Sequence, residues 1–539
     1  MGASSSKVDS KGEASEERRE EESIAASTGV LSMLQSVFSK HSLPETQAIP
    51  SSLLADVFSL NPANLESHSF VVSDYFPRLL ANIGPTIAEL FFKLEDENVS
   101  WIDFLKGYNR CAGRMTLSAS LTVLYQLYTV ASAMADNPTH LAFHPDGKIT
   151  GYLLLNDVIM FLWMCWVIQR TSRIFKPLED KSTVVLPEIY PLITSAFIYC
   201  SEVLDDLSIE NPEIFVLQTK IPAEKLHTWI LTTIPGLATC ISQYVQFKLQ
   251  AEIASPSAGN ADPSNLSISE NPVSDTHNTY LLTCGRAWAI SLSLRSSNDD
   301  LLESCFSRSS RTLDNLLYRS SVNGKGLNRF WSNVEGYQGE LLILVRANSI
   351  DSFKDGNGSK DWVFSILTGQ GIENQGKFYG NSGYLFAVNP IFRVFPPSGK
   401  DKNFVYCHLR PTGSSYDPNP KPVGLAFGGT TGKERVFIDE DFSELTIRHH
   451  AVDKTYQRGF LIPNQGFLPT SASILDVEVW GLGGETAKKK QDTHKKREIL
   501  FSEQRRKVDL KSFGNWEDSP EKMMMDMVSD PNRPHREER

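Results

Sequence analysis

A switch in hydrophobic period near residue 250 constrains this chain more than any other feature, because one period builds helices and the other builds sheets. From about 30 to 250 apolar residues recur at helical spacing. Leu31, Leu34, Val37 and Phe38 share one face, and Leu117, Leu121, Leu124, Leu127 and Tyr128 another. The spacing predicts further helices over about 70–93, 101–113, 153–171, 185–204 and 222–250. Ser100, with Asp103 three residues on, reads as a capping-box-like start. Residues 251–281 break the pattern with Pro256, Gly259, Pro263 and Pro272, the composition of a linker. Beyond it, runs such as Trp288-Ala-Ile-Ser-Leu, Glu340-Leu-Leu-Ile-Leu-Val, Tyr384-Leu-Phe-Ala-Val and Leu475-Asp-Val-Glu-Val-Trp480 read as strands. The expected architecture is α+β: an all-helical domain over 30–250, then a β-rich domain over 282–484.

The two ends differ from these cores. Residues 1–29 are rich in Ser, Glu and Arg and poor in large apolar side chains, so they read as a disordered tail. Residues 485–539 read as a basic, solvated helix followed by an unstructured end. Between Lys488 and Lys507 nine Lys or Arg face Asp492, Glu498 and Glu503, and nine minus three leaves +6. The longest apolar run, Leu153 to Ile168, is shorter than a membrane span and contains Asn156 and Asp157. It reads as a buried core helix.

Charge and cysteine usage narrow the function. A net charge of −11 over 539 residues and a pI near 5.6 argue against general nucleic-acid binding. The seven cysteines, Cys111, Cys165, Cys200, Cys240, Cys284, Cys305 and Cys407, contain no C-x-x-C pair. A reducing cytosol is expected, without a disulfide framework or a cysteine-rich metal site. No apolar secretory segment opens the chain.

Met1-Gly2-Ala3-Ser4-Ser5-Ser6-Lys7 fits the M-G-x-x-x-[ST] pattern for myristoylation of Gly2, with Ser6 at the hydroxyl position. One acyl chain holds a membrane only marginally, with a partition constant on the order of 10⁴ M⁻¹. The tail itself offers little help: Lys7, Lys11, Arg18 and Arg19 are outnumbered by seven acids. A second contact is therefore expected from the 488–507 run or from a membrane-bound protein partner.

Two stretches align on calcium loops but lack the ligands. One starts at Phe92, with Leu94 at its third position, Val99 at the eighth and Asp103 at the twelfth. The other runs from Ala142 to Leu153 with Gly147 and Ile149 inside it. Neither supplies the carboxylates calcium needs, and Asp351 to Trp362 fails in the same way. The helical half is accordingly read as degenerate EF-hand-like, without metal. The enzyme motifs fail too. Phe427-Gly-Gly-Thr-Thr-Gly432-Lys433-Glu434 is not a Walker loop, and Gly380-Asn-Ser382-Gly383-Tyr384 lacks the last glycine of a nucleophile elbow. His449-His450 and Cys407-His408 are adjacent pairs, which a strand turns to opposite faces. No catalytic residue and no cofactor are expected.

From about Leu282 to Gly484 the chain resembles the TLDc domain family, which includes the oxidation-resistance proteins. The residues that carry it run in the family's order. Leu316-Leu-Tyr-Arg-Ser-Ser321 is similar to its early helix, Gly339-Glu-Leu-Leu-Ile-Leu-Val345 to a strand, and Tyr379-Gly380-Asn-Ser-Gly383 to its aromatic-Gly turn. Paired aromatic strands follow at Tyr384-Leu-Phe and Phe392-Arg-Val-Phe395. Val423-Gly-Leu-Ala-Phe-Gly-Gly429, Val436-Phe-Ile-Asp-Glu-Asp-Phe442 and Ile474-Leu-Asp-Val-Glu-Val-Trp-Gly481 are the most specific blocks. Asp351–Lys360 and Gly413–Pro420 look like insertions. In layout the chain is similar to the myristoylated mTOR-associated TLDc proteins of lysosomes and their fungal vacuolar relatives.

The resemblance implies a β-sandwich with flanking helices and a non-enzymatic role, binding the V-ATPase or a related endolysosomal assembly at a membrane's cytoplasmic face. Partner-contact candidates are Gly428, Gly429, Asp439, Glu440 and Asp441 in the Gly-rich and acidic strand ends, and Lys488, Lys489, Lys490, Lys495, Lys496 and Arg497 in the basic run. Two rivals come from other classes: an oxidative-stress protein reacting through Cys407 or Cys305, and a calcium-responsive sensor.

Overall fold

The computed structural model describes the chain except residues 1–5, 61–63, 68, 93–97, 173–182, 202–216, 255–279, 295–314, 350–360, 411–419 and 515–539. Of the helix that opens it, α1 (Ser6–Ser27), side chains are described from Glu16 onward.

The apolar run around residue 160 becomes helix α8 (Leu155–Thr171), buried on every side from Val158 to Gln169. A helix apolar all round belongs in the middle of a fold. Helices α2 (Leu31–His41), α6 (Trp101–Ala112), α7 (Leu117–Met134), α9 (Tyr190–Ser201), α10 (Ala223–Thr233) and α11 (Cys240–Ala254) contribute to the same core. The expected single helix over 222–250 is broken at Pro235, where a 3₁₀ turn spans Pro235–Thr239. A proline removes a helix donor and clashes with the preceding turn, so the break follows from the sequence. Among the described residues no helix is long and apolar enough to cross a membrane.

This half is helical but not all-helical. Short strands β1 (Ile49–Pro50) and β3 (Asn98–Val99) pair through Ile49 and Val99. Strand β4 (His140–Phe143) pairs with β5 (Ile149–Leu154), and β5 with β7 (Lys220–Pro222), setting Leu153 opposite Ile221. The Ala142–Leu153 stretch is therefore a β-hairpin, not a helix–loop–helix connection. Ser100 caps α6: its Oγ accepts from the Asp103 backbone N–H (3.3 Å) and donates to the Asp103 carboxylate (2.6 Å).

The tail expected to be disordered is helical from Ser6 to Ser27. Polar contacts with α6 replace the missing apolar face. Trp101 Nε1 donates to Glu22 (2.9 Å), Asn109 Nδ2 to Glu21 (2.6 Å), and Lys106 pairs with Glu17 (2.5 Å). Counting large apolar residues overlooked these charged partners.

The second half is one long antiparallel sheet folded over into a sandwich. Its strands are β8 (Leu316–Arg319), β9 (Leu341–Ser349), β10 (Asp361–Thr368), β11 (Gly383–Asn389), β12 (Arg393–Phe395), β13 (Tyr406–His408), β14 (Gly424–Thr430), β15 (Lys433–Asp439), β16 (Glu444–Ile447) and β17 (Thr470–Gly481). The order is β12-β11-β10-β9-β17-β16-β15-β14-β13, and β17 also takes β8 beside its C-terminal half. Residues 316–321, expected as a helix, are thus a strand followed by one helical turn at Ser320–Asn323. Isolated pairings Tyr379–Val405 and Pro397–Tyr456 join the two layers.

Strands β9 to β11 are apolar on both faces, and the period of two distributes them between two cores. Ile343, Val345, Phe364, Ile366 and Leu385 fill the sandwich. Leu342, Leu344, Val363, Leu367, Phe386 and Val388 point the other way and join the core of the helical half. Between them lies α12 (Cys284–Ser293), with its residues from Ala287 to Ser293 buried. The sequence expectation there was a strand, since Trp288-Ala-Ile-Ser-Leu alternates. Burial on all sides erased the helical pattern. Thr283 caps this helix by accepting from Arg286 N–H (3.3 Å), and Trp288 Nε1 donates to Gln169 on α8 (2.7 Å). Gly285 lets α12 approach residues 188–189 closely, because a Cβ there would lie 2.0 Å from the Glu188 carbonyl oxygen. The two halves therefore share a core.

Candidate functional site

The acidic strand end is built by a tight turn after β15. Asp439 accepts from Ser443 N–H (2.8 Å), Ser443 Oγ and Glu444 N–H (3.0 Å), so its carboxylate closes the turn. Phe442 is buried at φ +55° inside it, edge-on to Tyr318. Glu440 pairs with Arg410 (2.6 Å), and its carbonyl accepts from Leu327 N–H (2.7 Å). Of the three acids named from the sequence, Asp441 is the exposed one. Asp439 is committed to the fold, and Glu440 is half-buried and salt-bridged.

Gly428 and Gly429 are likewise structural. Both are buried, with φ of +70° and +82°, and this left-handed twist inside β14 turns their N–H groups off the ladder. Gly428 N–H donates to the Asn403 carbonyl (3.1 Å) and Gly429 N–H to Asp453 Oδ1 (2.9 Å). A Cβ on Gly429 would lie 2.2 Å from the Lys433 carbonyl oxygen. Gly429→Ala is expected to lower stability by about 2–3 kcal/mol in urea denaturation. Gly432→Ala, at φ +83° with open space around it, is expected to lower it by no more than about 1 kcal/mol.

Asp453, which accepts from Gly429, is itself held by a buried arginine. Arg435, fully buried, donates from Nη1 to Asp453 Oδ2 (3.2 Å) and the Gln457 carbonyl (2.9 Å), and from Nη2 to the Gly459 carbonyl (2.9 Å). Its guanidinium lies over the Phe395 ring, 4.8 Å from the centroid. Asp453 also accepts from Thr455 N–H (2.7 Å) and Tyr456 N–H (3.3 Å). One buried ion pair thus fixes the hairpin and the long loop 448–469 together. Nothing local in Lys433-Glu-Arg-Val-Phe distinguishes Arg435 from an exposed strand residue.

The basic C-terminal helix, Gly484–Gly514, begins docked and continues into solvent. Ala487 and Gln491 are buried, and Gln491 Nε2 donates to the carbonyls of Asn333 (2.8 Å) and Glu335 (3.2 Å). Lys495 reaches the Asn333 carbonyl (3.2 Å), and Lys488 is partly covered. Lys489, Lys490, Lys496 and Arg497 are exposed, as is every residue from Lys496 to Arg506. Gly2 lies outside the described residues, and for Ser6 only the backbone is described.

Burial pushes the Cys407 thiol up to about 12, which leaves negligible thiolate at neutral pH and disfavours oxidant chemistry there. Cys305 lies outside the described residues, as does most of the Asp351–Trp362 loop. A carboxylate missed from the sequence, Glu478 on β17, joins the two halves. It is fully buried and accepts from Leu281 N–H (2.8 Å), Leu282 N–H (3.2 Å) and Trp480 Nε1 (3.1 Å). Burial raises its pKa above the usual carboxylate value.

At the end of the sandwich that holds Asp453, Phe467 and Leu468 are 82% and 81% exposed. Phe467 stacks on His449 at 4.4 Å between centroids, and His450 lies edge-on to Phe460 at 5.2 Å.

Residues 294–483 match the family model described as the TLDc domain. The chain is also 24% identical over 238 residues to Restriction of telomere capping protein 5 of Pyricularia oryzae, a match covering 36% of this chain and 37% of that protein. The match therefore spans little more than a third of the length of that relative.

Proposed function

Because the chain carries a TLDc domain over residues 294–483, we propose that it is a non-enzymatic, membrane-tethered adaptor that docks on the V-ATPase or a related endolysosomal or vacuolar assembly. The observation that carries this reading is the joining of that domain, through a shared core, to a helical half that begins with a myristoylation pattern at Gly2. An acyl chain at one end and a docking domain at the other supply the two contacts that stable peripheral attachment needs. The exposed surface suited to a protein partner is Asp441 at the acidic end and Lys489, Lys490, Lys496 and Arg497 on the C-terminal helix. A link to growth signalling of the mTOR type extends the same reading.

The polar pairs weighed as catalytic support the non-enzymatic side of the proposal. Cys407 is buried with its thiol protonated, and His449 Nδ1 accepts from the Ala451 N–H instead of orienting a nucleophile. The Ile49–Val99 pairing supports an EF-hand-like packing of the first part of the helical half, whereas the Ala142–Leu153 hairpin does not. A second reading follows the name of the Pyricularia relative and puts the chain in the restriction of telomere capping.

The test is affinity purification of tagged full-length wild type and Gly2→Ala from membranes, with the bound proteins identified. V-ATPase subunits recovered with wild type and several-fold weaker with Gly2→Ala are the expected result. Equal recovery removes the lipid from the proposal. Telomere-associated proteins in place of pump subunits favour the second reading, and recovery of neither set discards the pump.

A further inference from the structure

The loop 459–469 buries Leu461 and Ile462 in the sandwich core but turns Phe467 and Leu468 outward. Phe467 and Leu468, adjacent and about four-fifths exposed, sit between Gly466 and Pro469, with Phe460 beside them at 36% exposure. Single exposed apolar residues need no explanation, but a contiguous aromatic–aliphatic tip does. This tip is also held in place. His449 packs at a tilt against Phe467 and His450 meets Phe460 edge-on, Arg393 Nη1 donates to the Phe460 carbonyl (3.0 Å), and Arg435 anchors the base at the Gly459 carbonyl.

The charge around the tip has one sign. The neighbouring 396–402 segment, bonded to residues 454–457 through Ser398 and Pro396, carries Lys400 and Lys402, with Asp401 the single acid. The β14–β15 hairpin adds Lys433, and the loop itself adds Lys454 and Arg458. All five cations are exposed, and none takes part in an ion pair among the described residues. Glu434 and Asp453, the other acids here, are matched by Arg448 (3.1 Å) and Arg435 (3.2 Å). Five cations less Asp401 leave +4 at this end. His450 adds little positive charge at neutral pH, because burial, His449, Arg435 and Arg458 all lower its pKa.

We propose that the Phe467–Leu468 tip inserts into the interface of an anionic membrane while Lys400, Lys402, Lys433, Lys454 and Arg458 contact its headgroups. A convex tip of two side chains fits an acyl boundary better than a protein interface, whose buried core needs a broader complementary patch, roughly 800 Å² per partner. Cations near an anionic leaflet contribute about 1 kcal/mol each, and aromatic and aliphatic side chains at such a tip reach the headgroup–acyl boundary. This contact needs neither acylation of Gly2 nor the pump.

The test uses full-length chain prepared without myristate and titrated with phosphatidylcholine vesicles, with and without phosphatidylserine. Wild type is expected to partition onto the serine-containing vesicles only, and less so in high salt. The double variant Phe467→Ser/Leu468→Ser is expected to lower the partition coefficient about thirtyfold. Lys454→Ala/Arg458→Ala is expected to lower it by at least tenfold. Both pairs are exposed, so unchanged thermal unfolding will verify the fold. Absence of wild-type binding overturns the proposal. So does binding that survives both double variants, which would assign lipid contact to another surface such as the Lys496–Arg506 helix. Binding lost in the apolar variant but indifferent to phosphatidylserine overturns the headgroup half.

Discussion

Arg435→Ala will lower the stability of the TLDc sandwich by about 3–5 kcal/mol, the range found when one partner of a buried ion pair is removed. The substitution leaves Asp453, at 0% side-chain exposure, without its cation, and strips the Gln457 and Gly459 carbonyls of their donor. Part of the loss is cavity, since the guanidinium fills space against Phe395. Equilibrium denaturation of Arg435→Ala, Asp453→Asn and the double variant separates these terms. If charge imbalance dominates, the double variant will be no less stable than Arg435→Ala, because the second change removes a charge the first one stranded. A loss below about 1 kcal/mol for Arg435→Ala would show that water or rearrangement compensates the pair. The same variant loosens loop 454–468, so it also tests whether the Phe467–Leu468 tip requires a fixed base.

What the sequence makes legible here is periodicity and turn chemistry. Leu31, Leu34, Val37 and Phe38 announce α2, and the TLDc blocks announce β9, β11, β14 and β17 in order, because those signals are written in neighbouring residues. Most of the failures have one physical origin, partners distant in sequence. Ser6–Ser27 contains too little apolar surface to fold alone, and α6 supplies Trp101, Lys106 and Asn109 some eighty residues on. The Gly-rich strand of the TLDc resemblance makes Gly428 and Gly429 docking candidates, yet Asp453 and Asn403 occupy their amides. Asp439 reads as available because it stands at a strand end with few neighbouring bases, yet it is spent on its own turn. The exposed surface that remained, Asp441 and the solvated face of the C-terminal helix, was legible only as composition.

Most of the expected linker, residues 255–279, lies outside the described residues, and the halves meet through α12, so Trp288→Ala is the variant that measures the seam. Trp288 is fully buried on a helix covered on all sides, between α8 and the outer face of the sheet. Truncating a buried tryptophan costs about 3–5 kcal/mol, and here Gln169 on α8 also loses the indole N–H it accepts from. The polar half of the seam is separate. Glu478 holds the N–H groups of Leu281 and Leu282, and its raised pKa means that its contribution is greatest when protonated and falls as pH rises through that pKa. A seam fused by Trp288 should make the helical half and the sandwich unfold in one transition in wild type. Trp288→Ala should lower that transition and split it in two, followed by far-ultraviolet circular dichroism for the helices and by intrinsic tryptophan fluorescence for the whole chain. Two transitions already present in wild type would mean that the halves are stable separately and that the shared core is a docking surface, with acyl chain and TLDc domain then free to move independently. One transition, lowered by the substitution but not split, would mean that the helical half has no stability of its own without the sheet.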